Sequence, residues 1–339
     1  MISTVSLRRL ARFAPIGAAF VLLACGGDGG EEGAGETAGA PRIEVAPLVE
    51  RLDHGQLTED LVILSADDMA GRAVGTPGGE KARAYIAGRF QEIGLRPVGG
   101  DSFVHPFIAA APGTERGFAE AANVLGLVPG SAPGVIVVTA HYDHLGEKDG
   151  EIYNGADDNA SGVATLLAMA ADFMETPPRH PIVFAALDAE EVGQRGAEDF
   201  VQSPPPPIRM SGVILNVNLD MVSRSQKREL YAAGVYHYPY LRPYIEQTNA
   251  ASPITVRMGH DQPEDGPNDW TEQSDHYAFH LRGVPFIYFG VEDHPDYHQS
   301  TDTSDKVRQA FFADSAETIV YAVRTFDENL EAILDASGR

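Results

Sequence analysis

The chain has 339 residues and a formal net charge of −24, from 49 acidic against 25 basic side chains. So acidic a balance argues against nucleic acid or an anionic membrane surface as a partner. Cys25 is the single cysteine, so no disulfide forms within the chain, and the rest of the sequence offers neither thiol catalysis nor thiolate metal ligation.

Arg8, Arg9 and Arg12 make a short basic region ahead of an apolar run, Phe13 to Ala24, of signal-peptide length. That run is too short to persist as a membrane-spanning helix. It ends Leu22-Leu23-Ala24-Cys25, which resembles the lipobox of bacterial lipoproteins. The resemblance implies cleavage before Cys25, lipidation of that cysteine, and an exported protein anchored in the cell envelope. Gly26, where an inner-membrane retention signal places Asp, favours an outer membrane or cell surface. Residues 25–50, rich in Gly, Glu and Ala at their start and without apolar periodicity, read as a flexible tether. Residues 51–339 are long enough for a single α/β domain with a sizeable core.

Within that domain, Leu57 to Ile93 shows helical periodicity interrupted by a polar, glycine-containing loop, Asp67 to Glu80. Tyr85, Ile86, Phe90 and Ile93 give Lys81–Ile93 an amphipathic helical pattern. A less regular stretch runs from Arg96 to Pro133. Four apolar runs of strand character follow: Val135–Ala140, Ile182–Leu187, Val213–Leu219 and Phe286–Phe289. Val163–Met174 is an apolar helix between the first two, and Gln309–Leu334 is a long amphipathic stretch. Strands alternating with helices predict a mostly parallel mixed sheet covered on both faces, a three-layer αβα sandwich.

Ligands of open α/β sheets gather at the carboxyl ends of the strands. The first run ends at His141 and Asp143, the second leads into Glu190 and Glu191, and the third ends at Asp220. The fourth is followed by a loop with Tyr297, His298 and Asp302, and Asp157-Asp158-Asn159 stands just before the Val163 helix. Singly these are ordinary features: a strand-end His is usually structural, and Asp-Asp before a helix is usually a cap. Together they place several carboxylates on one strand edge, where they repel one another unless a cation lies between them. Imidazole and carboxylate donors without thiolate suit zinc, with cobalt or manganese as substitutes.

Five ordered segments carry a family resemblance: Ala140-His141-Tyr142-Asp143, Gly155 to Gly162, Ala189-Glu190-Glu191-Val192-Gly193, Asn218-Leu219-Asp220-Met221 and Tyr297 to Thr303. They resemble the co-catalytic zinc peptidases that include secreted bacterial leucyl aminopeptidases, glutamate carboxypeptidase, glutaminyl cyclase and the transferrin receptor. Leu64 to Arg72 and Gly75 to Gly78 resemble the amino-terminal region of that family. The resemblance implies two zinc ions per chain, with His141 and Glu191 as terminal ligands, Asp220 and His298 completing the two ends, and Asp157 bridging. It implies a cis bond between Asp157 and Asp158, and Asp143 fixing the His141 ring, with Asp302 in a similar role near His298. It makes Glu190 the general base towards a shared water and Tyr297 a hydrogen-bond donor to the oxyanion.

The activity so implied is removal of amino-terminal residues from peptides, with no obligate protein partner. A carboxypeptidase or dipeptidase shares the metal chemistry and would need cations for the substrate carboxylate, with Arg224, Lys227 and Arg228 as candidates. Glutaminyl cyclase shares the fold but works with one zinc, and a receptor without catalysis would lack ligands or base. Ser274-Asp275-His276 reads as support for the pocket, His144 as a structural histidine in preference to a substrate contact, and Trp270 as either a pocket wall or a packing residue.

Overall fold

The computed structural model describes residues 48–110 and 117–338. Cys25, the leader and all but the last three residues of the expected tether lie outside them. Helix α1 (His54–Leu64) starts at Asp53, whose carboxylate accepts the amides of Gly55 and Gln56. Helix α2 (Pro77–Ile93) starts four residues earlier than its apolar pattern predicts. Thr76 caps it through the amide of Gly79, Pro77 supplies a ready-set φ at the first turn, and Gly94 closes it in the left-handed region.

The stretch that looked irregular contains β1 (Arg96–Pro97), β2 (Val104–Ala110) and the eleven-residue β3 (Phe118–Val128). After these come β4 (Val135–His141), a small hairpin of β5 (Gly146–Lys148) and β6 (Glu151–Tyr153), and helix α3 (Gly162–Glu175). Next are β7 (Ile182–Leu187), α4 (Arg195–Gln202), β8 (Val213–Leu219), β9 (Glu229–Ala233), α5 (Arg242–Ala251) and β10 (Thr255–Met258). The short α6 (His276–His280) precedes β11 (Phe286–Gly290). The long amphipathic terminal stretch forms two helices, α7 (Gln309–Glu328) and α8 (Leu330–Ser337), separated at Asn329.

Apart from the hairpin, the described strands form one nine-stranded sheet in the order β1-β3-β7-β4-β8-β11-β9-β10, with β2 also on β3. Its centre, β7-β4-β8-β11, is parallel throughout. Antiparallel pairings occur on the flanks, between β3 and its neighbours and between β11 and β9. Side chains alternate across each central strand and feed two cores. Ile136, Val138 and Ala140 of β4 join α1, α2, α3 and α7 in the larger one, while Val137 joins Phe200 of α4 and Phe279 of α6 in the smaller. The three layers follow from that alternation. Each fully buried Leu, Ile or Phe contributes roughly 1.5–3 kcal/mol. The sheet is therefore rigid where its four parallel strands end side by side.

Candidate metal centre

His141 is the last residue of β4, and its Nδ1 lies 3.1 Å from the carbonyl oxygen of Asp143. Donation there leaves Nε2 as the ring acceptor. That Nε2 faces two carboxylate oxygens, Asp220 Oδ1 at 3.3 Å and Asp158 Oδ1 at 3.4 Å. Acceptor against acceptor is unfavourable without a proton or a cation between them. Burial alone would lower the imidazole pKa, but Asp220, Glu190 and Asp158 outweigh burial and hold it well above its ordinary value. The second oxygen of Asp158 faces the other way, 3.2 Å from His298 Nε2 and 3.7 Å from His144 Nδ1. Glu191 joins this side, with Oε1 2.7 Å from His144 Nδ1 and Oε2 3.6 Å from His298 Nε2. Two donor groups, His141-Asp158-Asp220 and His144-Asp158-Glu191, thus share one carboxylate.

The shared residue is Asp158, whereas the sequence resemblance pointed to Asp157. The segment Ala156–Ser161 is a wide helical turn in which Asp158 (φ −102°, ψ 95°) leaves helical geometry. That turns consecutive carboxylates in different directions. Asp157 Oδ1 accepts from Ser223 N at 2.8 Å, Ser223 Oγ at 2.7 Å and Ser161 Oγ at 3.2 Å, and Oδ2 meets His294 Nε2 at 3.1 Å. Its acceptor capacity is spent on its own turn and on the loops after β8 and β11. The cis bond likewise joins Asp158 to Asn159, not Asp157 to Asp158. Asn159 ties the turn to the end of β8, its Oδ1 accepting from Gly162 and Met221 and its Nδ2 donating to the Leu219 carbonyl. At Gly162 a Cβ would stand 2.3 Å from Asn159 Oδ1 and 2.6 Å from Leu219 O, so only glycine admits this approach.

Asp302 does not orient His298. Its Oδ2 accepts the amides of Asp157 at 2.9 Å and Asp158 at 3.1 Å, which sets the turn itself. Asp143 reaches the His141 ring through its carbonyl, its carboxylate lying 3.8 Å away. That carboxylate accepts the amides of Glu190 at 3.0 Å and Glu191 at 3.3 Å, and so places both side chains. Ser274 Oγ donates to Asp220 Oδ2 at 2.7 Å. His144, read from sequence as structural, sits in the cluster, and burial lowers its pKa to about 3. No periodicity or spacing marked it, because it follows the strand in an irregular segment.

A small pocket of about 70 Å³ lies over the cluster, lined by His141, Asp158, Glu190, Glu191, Asp220 and His298 among others. Asp293, Gln273, Met221, Trp270, Tyr288, Val291 and Tyr297 complete its lining. Trp270 is thus both wall and packing residue, stacked on His260 at 3.9 Å between ring centres. Burial pushes the Glu190 carboxyl well above its ordinary value; His141 opposes that shift and Asp275 and Asp220 reinforce it.

A family model described as Peptidase family M28 matches residues 123–323, a segment that contains both donor groups. The chain belongs to this family. It is similar to the alkaline phosphatase isozyme conversion protein of Escherichia coli, 31% identical over 44% of this chain and 46% of that protein. It is also similar to the probable lipoprotein aminopeptidase LpqL of Mycobacterium tuberculosis, 27% identical over 59% of this chain and 44% of the other. The chain spans less than half the length of the curated relatives it matches. Among solved structures, a glutaminyl cyclase from Bacteroides thetaiotaomicron aligns over 81% of this chain and 99% of its own, with TM-score 0.64 and 17% identity. That likeness shows a shared fold. The donor chemistry, imidazole and carboxylate without sulfur, fits zinc.

Proposed function

We propose that the chain is a zinc-dependent aminopeptidase that takes two metal ions, one between His141, Asp158 and Asp220 and one between Asp158, Glu191 and His298. The opposed oxygens of Asp158 support the count of two, because each faces a different imidazole. Bound zinc would polarise the scissile carbonyl and lower the pKa of a water towards about 7. Glu190, placed by Asp143 and held above its ordinary pKa by burial, accepts the proton of the attacking water and returns it to the leaving amine. Tyr297, on the pocket wall and stacked on His298, donates to the developing oxyanion. His144 holds the Glu191 carboxylate in place.

The observation that carries recognition of the amino terminus is the sign of the wall. Asp158, Glu190, Glu191, Asp220 and Asp293 line the pocket, with no Lys or Arg among its lining residues. With Asp158, Glu191 and Asp220 taken up by the metal ions and Glu190 acting as base, Asp293 is the acid left to meet a substrate ammonium, and no side-chain cation lines the pocket to hold a terminal carboxylate. The three cations that would serve a carboxypeptidase are committed elsewhere: Arg224 to Asp296 and Asp302, Lys227 to Glu292, and Arg228 to Asp314. Export with lipidation at Cys25 is part of the proposal, supported by the leader motif and by the name of the mycobacterial relative. Among the described residues no helix is long and apolar enough to cross a membrane.

Incubation with mixed short peptides, half of them amino-terminally acetylated, tests this reading by mass spectrometry. Loss of amino-terminal residues from unblocked peptides alone, abolished by a chelator and restored by zinc, is the expected outcome. Trimming from the carboxyl end regardless of acetylation, or cyclisation of amino-terminal glutamine without cleavage, would overturn it.

A further inference from the structure

Arg72 is buried to 1% exposure and makes no ion pair with a carboxylate among the described residues. Its guanidinium instead donates to four backbone carbonyls: Nε to Tyr142 O at 2.9 Å, Nη1 to Leu64 O and Asn154 O at 2.6 Å each, and Nη2 to Gly155 O at 2.9 Å. Tyr142 separates His141 from Asp143, and Gly155 opens the turn that presents Asp158. The side chain therefore spans the two backbone segments whose donors must stay 3.4 Å apart, His141 Nε2 and Asp158 Oδ1. Leu64, the last residue of α1, ties both to the helical layer.

The backbone is bent to make this reach. Ala70, Gly71 and Arg72 all have positive φ, at 46°, 67° and 52°. A Cβ on Gly71 would stand 2.4 Å from Gly146 O and 2.6 Å from Tyr153 O, so the turn is pressed against the β5–β6 hairpin. Carbonyl dipoles solvate the charge without neutralising it. The acids acting on Arg72 are Asp158, Asp302, Asp143 and Glu191, all belonging to the metal centre or its support, and they keep it charged although burial lowers its pKa to about 10. Arg72 lies outside the segment matched by the family model.

We infer that Arg72 is a positioning residue for the metal centre: its planar fork sets the spacing of the His141 and Asp158 segments, and its charge offsets the acids behind them. The inference rests on the proposal that this cluster holds zinc. Lysine would keep the charge, but its single ammonium is a point donor and cannot span carbonyls on three segments.

The test uses full-length Arg72→Lys and Arg72→Gln proteins, stripped of metal and titrated with zinc against a chromophoric chelator. The temperature is one at which circular dichroism shows the metal-free form fully folded. Zinc affinity is expected to fall about 10–100-fold in both variants, the range seen when groups behind metal ligands are removed. Lowered melting temperatures with zinc affinity unchanged in the folded protein would make Arg72 a stability residue and overturn the inference. So would failure of both variants to fold. A wild-type chain that binds no zinc would instead sink the metal reading itself, a result separable from the other two.

Discussion

Two sets of buried acids sit in this molecule under opposite rules. In the helical layer each has a partner. Asp172 of α3 takes Arg324 of α7, whose Nε lies 2.8 Å from Oδ2; Asp60 of α1 takes Arg89 of α2 at 2.9 Å. Asp327 accepts the amides of Arg179 and His180 at 2.8 Å each, and Glu317 accepts those of Arg51 and Leu52. At the strand ends Asp158, Asp220 and Glu191 face imidazoles, Glu190 lines the same pocket, and no Lys or Arg forms an ion pair with any of them among the described residues. Acids with partners hold the helices to one another and to the connecting segments; acids without them are an invitation to a cation.

Asp158→Asn is the strongest way to break that contrast. It removes the shared carboxylate, so zinc content should fall below one equivalent and turnover should be lost. Full retention of two equivalents, measured by atomic absorption, would end the bridging role. Glu190→Gln should keep the metal and lose about 10²–10⁴-fold in kcat, the usual contribution of a general base. A variant with near-normal kcat would show that another group takes the proton.

The helical layer should respond in the reverse sense. Arg324→Met leaves Asp172 with Arg51 alone, at 3.5 Å, and should cost about 2–3 kcal/mol in unfolding free energy, below the full penalty of an unpaired buried charge. Zinc affinity should stay at its wild-type value. A loss of zinc with little loss of stability would erase the distinction between the two sets.

The smallest expected effect sharpens the boundary between them. Asp296 is held well below its ordinary value by hydrogen bonds from Lys306, Thr301 and Arg224. A depressed carboxyl stabilises the fold above its unfolded pKa of about 3.9, and that contribution is lost as pH falls through the lower folded value. Its partners are screened by solvent, so Asp296→Asn should cost no more than about 1 kcal/mol near neutrality, and progressively less below pH of about 4. Urea titrations at pH 7 and at about pH 2 read the difference, and an equal cost at both would exclude the ionised form as the source.

The parallel centre of the sheet was legible because β4, β7, β8 and β11 are predominantly apolar runs, and chemistry at their ends follows from the fold. β1, β2 and β3 were not, because β2 carries His105 and Pro106 and β3 alternates small residues with Glu120 and Asn123. The choice between Asp157 and Asp158 turns on one residue's ψ inside an unusual turn, and spacing holds no trace of that. His144 and the actual work of Asp302 were hidden for the same reason. Their partners, Glu191 and the amides of residues 157 and 158, come from distant parts of the chain.

The donors of this centre run from His141 to His298, spread over segments that meet only when the sheet has closed. Such long-range closure comes late in folding, since its entropic cost precedes any reward. Metal uptake then becomes a record of completeness. A chain cut short before His298, or one whose β11 has not docked, has no way to assemble both halves of the centre. It forgoes the several kcal/mol that a tightly bound ion adds to the folded state. Damaged and unfinished copies are thereby left marked by their own instability.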